Sequence, residues 1–208
     1  MPIRQSTFIR PLLAITMVAA STLYAIAQRA PTPSRVRGTI ESVDGDLLAV
    51  KSRSGEALKL HMTGGTKIAG ITKISLADVK VGSFIGTTTV PGADGSQKAV
   101  EVHVFPESMR GTGEGSRPWD LRPNSTMTNA TVGESVAGND GRTLLVKYKG
   151  GEKRVVVPDQ TPVVTYVPGD RNDLKPGAKL IAFVKQLPDG SFDASRIAVG
   201  RDGLTPPM

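Results

Sequence analysis

From residue 36 onward, apolar and polar positions alternate with a period of two. Leu58, Leu60 and Met62 interleave with Lys59 and His61. Val100, Val102 and Val104 interleave with Glu101 and His103. This is the period of a half-buried β-strand. The pattern predicts strands at 36–43, 47–52, 56–62, 84–90 and 98–105, and again at 128–135, 144–148, 153–157, 162–167, 180–185 and 195–199. Turn signals separate them: Asp44-Gly45, Ser54-Gly55, Asp94-Gly95, 138–141, Gly150-Gly151 and Asp189-Gly190. Residues Ser75–Val79 read as a single helical turn with Ser75 as N-cap, ended by Gly82. The segment 171–177 reads as its counterpart, and 66–74 is ambiguous.

Landmarks recur at an offset of 95 positions. Thr66 maps to Thr161, Asp78 to Asp173, Gly82 to Gly177 and Val102 to Ile197. The chain thus reads as one unit written twice, at 36–105 and 127–200. Three strands, a short helical turn and two strands is the order of the OB-type small barrel. Each copy is near the lower size limit for a self-supporting core. The expected fold is therefore all-β: two tandem OB-like β-barrels, packed together. A β-sandwich has the same periodicity.

The first 27 residues read as a cleavable signal peptide. Arg4 and Arg10 form a basic start, 12–20 is apolar, and Ala25-Ile26-Ala27 has the small-x-small form of a cleavage site. Residues 28–35 read as a Pro-containing linker. Nothing after Ala27 is long and apolar enough for a membrane helix. The expected location is periplasmic or secreted. Without Arg4 and Arg10, 24 basic residues stand against 19 acids, a net charge of +5. The lysines are scattered, so nucleic acid is not an expected partner. The sequence has no cysteine. Thiol catalysis, iron–sulfur clusters and cysteine-based zinc sites are excluded.

Residues 106–126 break the repeat. This crossover holds the single tryptophan, Trp119, and glycines at 111, 113 and 115. It also holds Arg110, Arg117 and Arg122 beside Glu107, Glu114 and Asp120. The glycine spacing is not that of a dinucleotide loop, and Pro118 disfavours helix at Arg117, where the fingerprint needs a helix to open. Two roles remain. As packing, Trp119 plugs a gap between barrels while Arg117 or Arg122 pairs with Asp120 or Glu114. As a binding site, Trp119 is an apolar wall and Arg110 or Arg117 an anion contact, with Glu114 and Asp120 nearby. Asn124 and Asn129 both begin glycan-acceptor patterns.

His61, Glu101 and His103 form a candidate two-histidine, one-carboxylate metal set, if the third and fifth strands bring them together. The plainer alternative is two solvent-facing histidines; copy two has Ala198 in place of His103. No cofactor is expected. No Gly-x-Ser-x-Gly elbow or paired-acid constellation is present, so the expectation is a non-enzymatic protein.

Several stretches carry a resemblance: 104–107, 110–115, 117–121, 125–130 and 174–178. On these the chain resembles an uncharacterised family of exported bacterial proteins with OB-like domains of unknown function. Some of its members are labelled metal ABC transporter permease. That label requires several membrane spans, which this sequence lacks. The resemblance implies a periplasmic protein and supplies no catalytic or binding residues. The function expected is binding or scaffolding of an unidentified ligand or periplasmic partner, with metal binding as the alternative and an unrecognised enzyme as the third.

Overall fold

The computed structural model describes residues 35–93, 96–138 and 141–208. The expected signal peptide, almost all of the expected 28–35 linker, and the Asp94-Gly95 turn lie outside the described residues. So does the centre of the 138–141 turn.

The described chain is all-β. Twelve strands alternate with three single 3-10 turns. They are β1 (Arg35–Asp44), β2 (Leu47–Ser52), β3 (Ala57–Lys73), β4 (Phe84–Pro91), β5 (Gln97–Val104), β6 (Gly115–Pro118), β7 (Thr126–Gly138), β8 (Gly141–Tyr148), β9 (Gly151–Pro158), β10 (Val163–Pro168), β11 (Lys179–Gln186) and β12 (Phe192–Gly200). Among the described residues no helix is long and apolar enough to cross a membrane.

The helical turn expected after Ser75 is a 3-10 turn at Leu76–Asp78. Ser75 accepts from Ala77 N–H, and Asp78 accepts from Ser75 N–H at 3.0 Å. This reciprocal capping box closes the turn. Its counterpart at Arg171–Asp173 is built the same way, with Asp170 as cap and Asp173 reaching back. The ambiguous segment 66–74 continues β3, which thereby reaches 17 residues.

Strands β1, β2, β3, β12 and β11 pair in a closed five-stranded barrel. The β3–β12 seam is parallel and the other four are antiparallel. Its core joins Val36, Ile40, Leu48, Val50, Leu60 and Met62 to Leu180, Ala182, Phe192, Ala194, Ile197 and Val199. The expected closure of each copy on itself is not what the pairing shows. Three strands of this barrel come from 36–105 and two from 127–200. The length of β3 is the physical reason. Seventeen residues extend about 55 Å at about 3.3 Å each, which carries the chain beyond the barrel before β4 begins.

The extra strands form a contiguous extension. β7, β8 and β9 run as an antiparallel meander, and β4 lies between β7 and β5. β5 meets β9 in parallel through Gln97–Val155 and Lys98–Val156. Their inner faces bury Ile85, Val102, Ala130, Val132, Leu144, Val146, Val155 and Val157. β10 bridges the two groups. It lies antiparallel to the second half of β3 and parallel to β5. A third buried cluster fills the junction: Ile71, Met127, Val164, Ile181, Ala198 and Met208, with Trp119 and Tyr166 against it.

Candidate functional site

The junction is incompletely filled. A cavity of about 390 Å³ opens beside the third cluster. On one side stand His103, Phe105, Met127 and Asn129. On the other stand Arg35, Phe183, Ser195 and Arg196. Thr112, Gly113, Arg117 and Trp119 of the crossover close it, with Tyr166 and Met208.

Strand register builds the first wall. His103, Gly86 and Asn129 sit opposite one another across β5, β4 and β7. One step along, Glu101, Thr88 and Met127 form the next row. Gly86 has no side chain, so the outer residues reach over it. A Cβ there would overlap His103 Nε2 and lie 2.7 Å from Asn129 Oδ1. The two polar atoms therefore share one spot above bare backbone.

The Glu101 side chain is fully buried, and His103 is 3% exposed. Oε1 of Glu101 accepts from Thr88 N–H at 2.8 Å and from the Thr88 hydroxyl at 2.7 Å. Oε2 lies 2.9 Å from His103 Nδ1. Thr88 thus holds the carboxylate, and the carboxylate holds the ring. In the tautomer whose Nδ1–H donates to Glu101, Nε2 carries the free lone pair and is an acceptor. Ring edges pack on Phe105 and Tyr166, with centroids 4.9 and 5.8 Å from His103. Burial pushes the Tyr166 phenol well above its usual range; the Glu101 charge adds to this and Arg196 opposes it.

Asn129 is 4% exposed. Its amide nitrogen donates to Thr112 O at 2.9 Å, which fixes the orientation of the group. Its Oδ1 has no partner, and neither has the buried Nε1 of Trp119. Buried polar atoms are normally satisfied, and each orphan costs about 1–3 kcal/mol. Both orphans among the described residues belong to side chains lining this one cavity.

The opposite wall is cationic. Arg35 sits 4.1 Å above the Trp119 ring centroid and Arg117 5.7 Å from it. Arg117 donates to Gly113 O at 2.7 Å and has no acidic partner among the described residues. Its pKa is lowered by burial first and by the Arg35 charge second. Arg196 lies over the Phe183 ring at 5.3 Å, also without an acidic partner among the described residues.

The five crossover candidates separate. Trp119 and Arg117 line the cavity. Asp120 does not pair with an arginine of the crossover; it binds Arg37 at 2.9 Å and Arg35 at 3.2 Å, and so anchors the cationic wall. Burial acts to raise the Asp120 pKa, but bonds and charge from Arg37 and Arg35 outweigh it, and the net shift is downward. Arg110 is engaged with Glu107 and donates to Gly82 O, away from the cavity. Glu114 accepts from Lys149 N–H at 2.9 Å. Neither expected partner of Arg117 contacts it. The three glycines all have positive φ, at 80°, 56° and 122°, and Gly113 lets the loop turn close to Arg117 and Asn129.

The metal candidates part company. Glu101 and His103 are together, but His61 lies on the first half of β3, opposite Leu47 and Asp193. No group of three potential ligand residues forms among the described residues. His103 is not solvent-facing, because its side of the sheet is covered at the junction. Asn129 is too buried to accept a glycan.

Sequence reasoning missed Arg35, assigned to the linker, and Tyr166, Phe183 and Arg196. One available signal was the repeat offset, which maps Glu101 onto Arg196. Comparison with known proteins finds no matching family model, no similar curated protein and no similar solved structure.

Proposed function

We propose that this is an exported, non-enzymatic binding protein that takes a small anionic ligand with an apolar body in the junction cavity. One observation carries the proposal: half-buried Arg117, without an acidic partner among the described residues and destabilised by Arg35, beside aromatic walls. An anion there relieves the repulsion and forms charge-assisted hydrogen bonds. Walls that are mostly apolar with a few placed polar groups are the usual composition of a small-molecule site.

The scaffold in this proposal is a pair of OB-like barrels that exchange strands. Around the closed barrel the order is β1-β2-β3-β12-β11. Around the second circuit it is β7-β8-β9-β5-β4. Each follows the OB order of first, second, third, fifth and fourth strand, with third and fifth parallel. Equivalent positions support the duplication. Ile71 pairs with Tyr166, its own counterpart 95 residues on. The contact of Phe192 with Leu60 is matched by Gln97 with Val155.

The sole tryptophan makes the test direct. Titration of residues 28–208 with small carboxylic and phosphoric acids is expected to change Trp119 fluorescence, and Arg117→Met is expected to weaken binding about tenfold or more. Arg154→Met, on β9, should leave it unchanged. Acids that leave the fluorescence unchanged, or bind Arg117→Met equally well, overturn the proposal.

The Glu101–His103 pair favours a second reading, in which His103 moves a proton on the bound acid. Mass spectrometry showing conversion of a bound acid, lost in His103→Phe, would establish it.

A further inference from the structure

The anion wall occupies one side of the cavity and leaves its other side unexplained. There, Asn129 Oδ1 is buried without a donor. His103 Nε2 stands at the same spot, and in the tautomer whose Nδ1–H donates to Glu101 it is an acceptor. Two acceptors converge over Gly86 with nothing between them to donate. The Trp119 Nε1 donor, also buried without a partner, belongs to the wall that carries Arg35 and Arg117.

We infer that the ligand is a small acid bearing its own O–H or N–H donor: a hydroxy- or amino-carboxylic acid with an apolar body. Its carboxylate lies against Arg117, Arg35 and Trp119 Nε1. Its donor lies between Asn129 Oδ1 and His103 Nε2. The two ends are close enough for one small molecule. A point built on the Gly113 backbone is 3.3 Å from both Arg117 Nη2 and Asn129 Nδ2. The apolar body has Phe105, Tyr166, Phe183 and Met127 to cover it. A site built to hydrogen-bond a donor rejects the analogue lacking it, because its buried acceptors are then left unpaired.

The inference rests on the cavity being the ligand site, and the test separates the two. Three acids share one carbon skeleton: 3-phenylpropionate, phenyllactate and phenylalanine. They differ in having no donor, a hydroxyl or an ammonium at one carbon. Each is titrated against residues 28–208 by Trp119 fluorescence and by calorimetry. Phenyllactate or phenylalanine is expected to bind at least tenfold more tightly than 3-phenylpropionate. Asn129→Leu is expected to shrink that preference to within about threefold while binding of 3-phenylpropionate persists. Binding of all three within twofold by the natural sequence overturns the donor inference and leaves the cavity reading standing. Binding of none at millimolar concentration overturns the cavity reading for this class of acid. The comparison among ligands needs no variant, so it holds even where Asn129→Leu fails to fold.

Discussion

Severing the chain in the crossover tests the strand exchange most directly. The fragments are 28–105 and 106–208, which the sequence repeat marks as two units. In the closed barrel, six buried side chains come from the first fragment: Val36, Ile40, Leu48, Val50, Leu60 and Met62. They pack against Leu180, Ala182, Phe192, Ala194, Ile197 and Val199 of the second. Full burial of such a side chain is worth about 1.5–3 kcal/mol. Losing half of it at six positions costs about 5–9 kcal/mol, on the scale of the whole stability of a domain, about 5–15 kcal/mol. The first fragment also strands β4 and β5 without β7, β8 and β9. Neither fragment is therefore expected to melt cooperatively as a monomer in circular dichroism. Mixing them should restore β structure with one copy of each fragment, read by analytical ultracentrifugation. A self-exchanged dimer of 28–105 is compatible with the same pairing. A folded monomer of 28–105 with a cooperative melt would refute the exchange.

Replacing Glu101 by Leu removes the acceptor of Thr88 N–H, the Thr88 hydroxyl and His103 Nδ1; urea unfolding should show a loss of about 3–5 kcal/mol. Gly86→Ala forces a methyl against His103 Nε2 and Asn129 Oδ1, with an expected cost of about 1–3 kcal/mol and weaker binding of any acid that fills the cavity. The folded pKa of Asp120 is depressed, so its contribution is present above the ordinary carboxylate value and lost as pH falls through the depressed one. Its side chain is 46% exposed, so screening holds the effect below about 1 kcal/mol; Asp120→Asn should flatten the melting-temperature profile between about pH 5 and 2.

Strand positions were legible because each strand has one face toward a core, and period-two alternation records that directly. The Ser75–Asp78 turn was legible because its cap and its N3 carboxylate are three residues apart. Pairing was not legible. Periodicity states that Val102 and Val104 point one way and Glu101 and His103 the other, but not what covers each side. A solvent-facing His103 and a His103 buried at a junction give the same local pattern. The long β3 was hidden because the clear alternation stops at Met62, ahead of Gly64-Gly65, and 66–74 is ambiguous. Arg35 was hidden because it reads as the last residue of the Pro-containing linker, although it opens β1. Within the crossover, Trp119 and Arg117 stood out by composition. Which arginine lacks an acid depends on residues far along the chain, since Asp120 is taken by Arg35 and Arg37.

In the duplication proposed above, the cavity lies where matched register positions of the two halves carry different residues. The rows that form its first wall, His103–Gly86–Asn129 and Glu101–Thr88–Met127, have counterparts across the junction. By pairing register these are Ala198–Ile181–Arg37 and Arg196–Phe183–Arg35. In one half the central position of the first row is Ile181, fully buried in the third cluster. In the other it is Gly86, and the space an isoleucine would fill is shared by an imidazole and an amide. Across the second row, Glu101 on one side answers Arg196 on the other. A symmetric junction would place two identical faces together and close over an apolar contact, as Ile181 and Ala198 do. Substituting Gly, His, Asn and Glu on one face, and Arg on the other, withdraws that contact and leaves polar atoms without partners. Burying unpaired polar groups lowers stability, so a duplicated scaffold selected only for packing would not favour these residues. Their concentration around one cavity, bordered by the crossover, supports the ligand site proposed there.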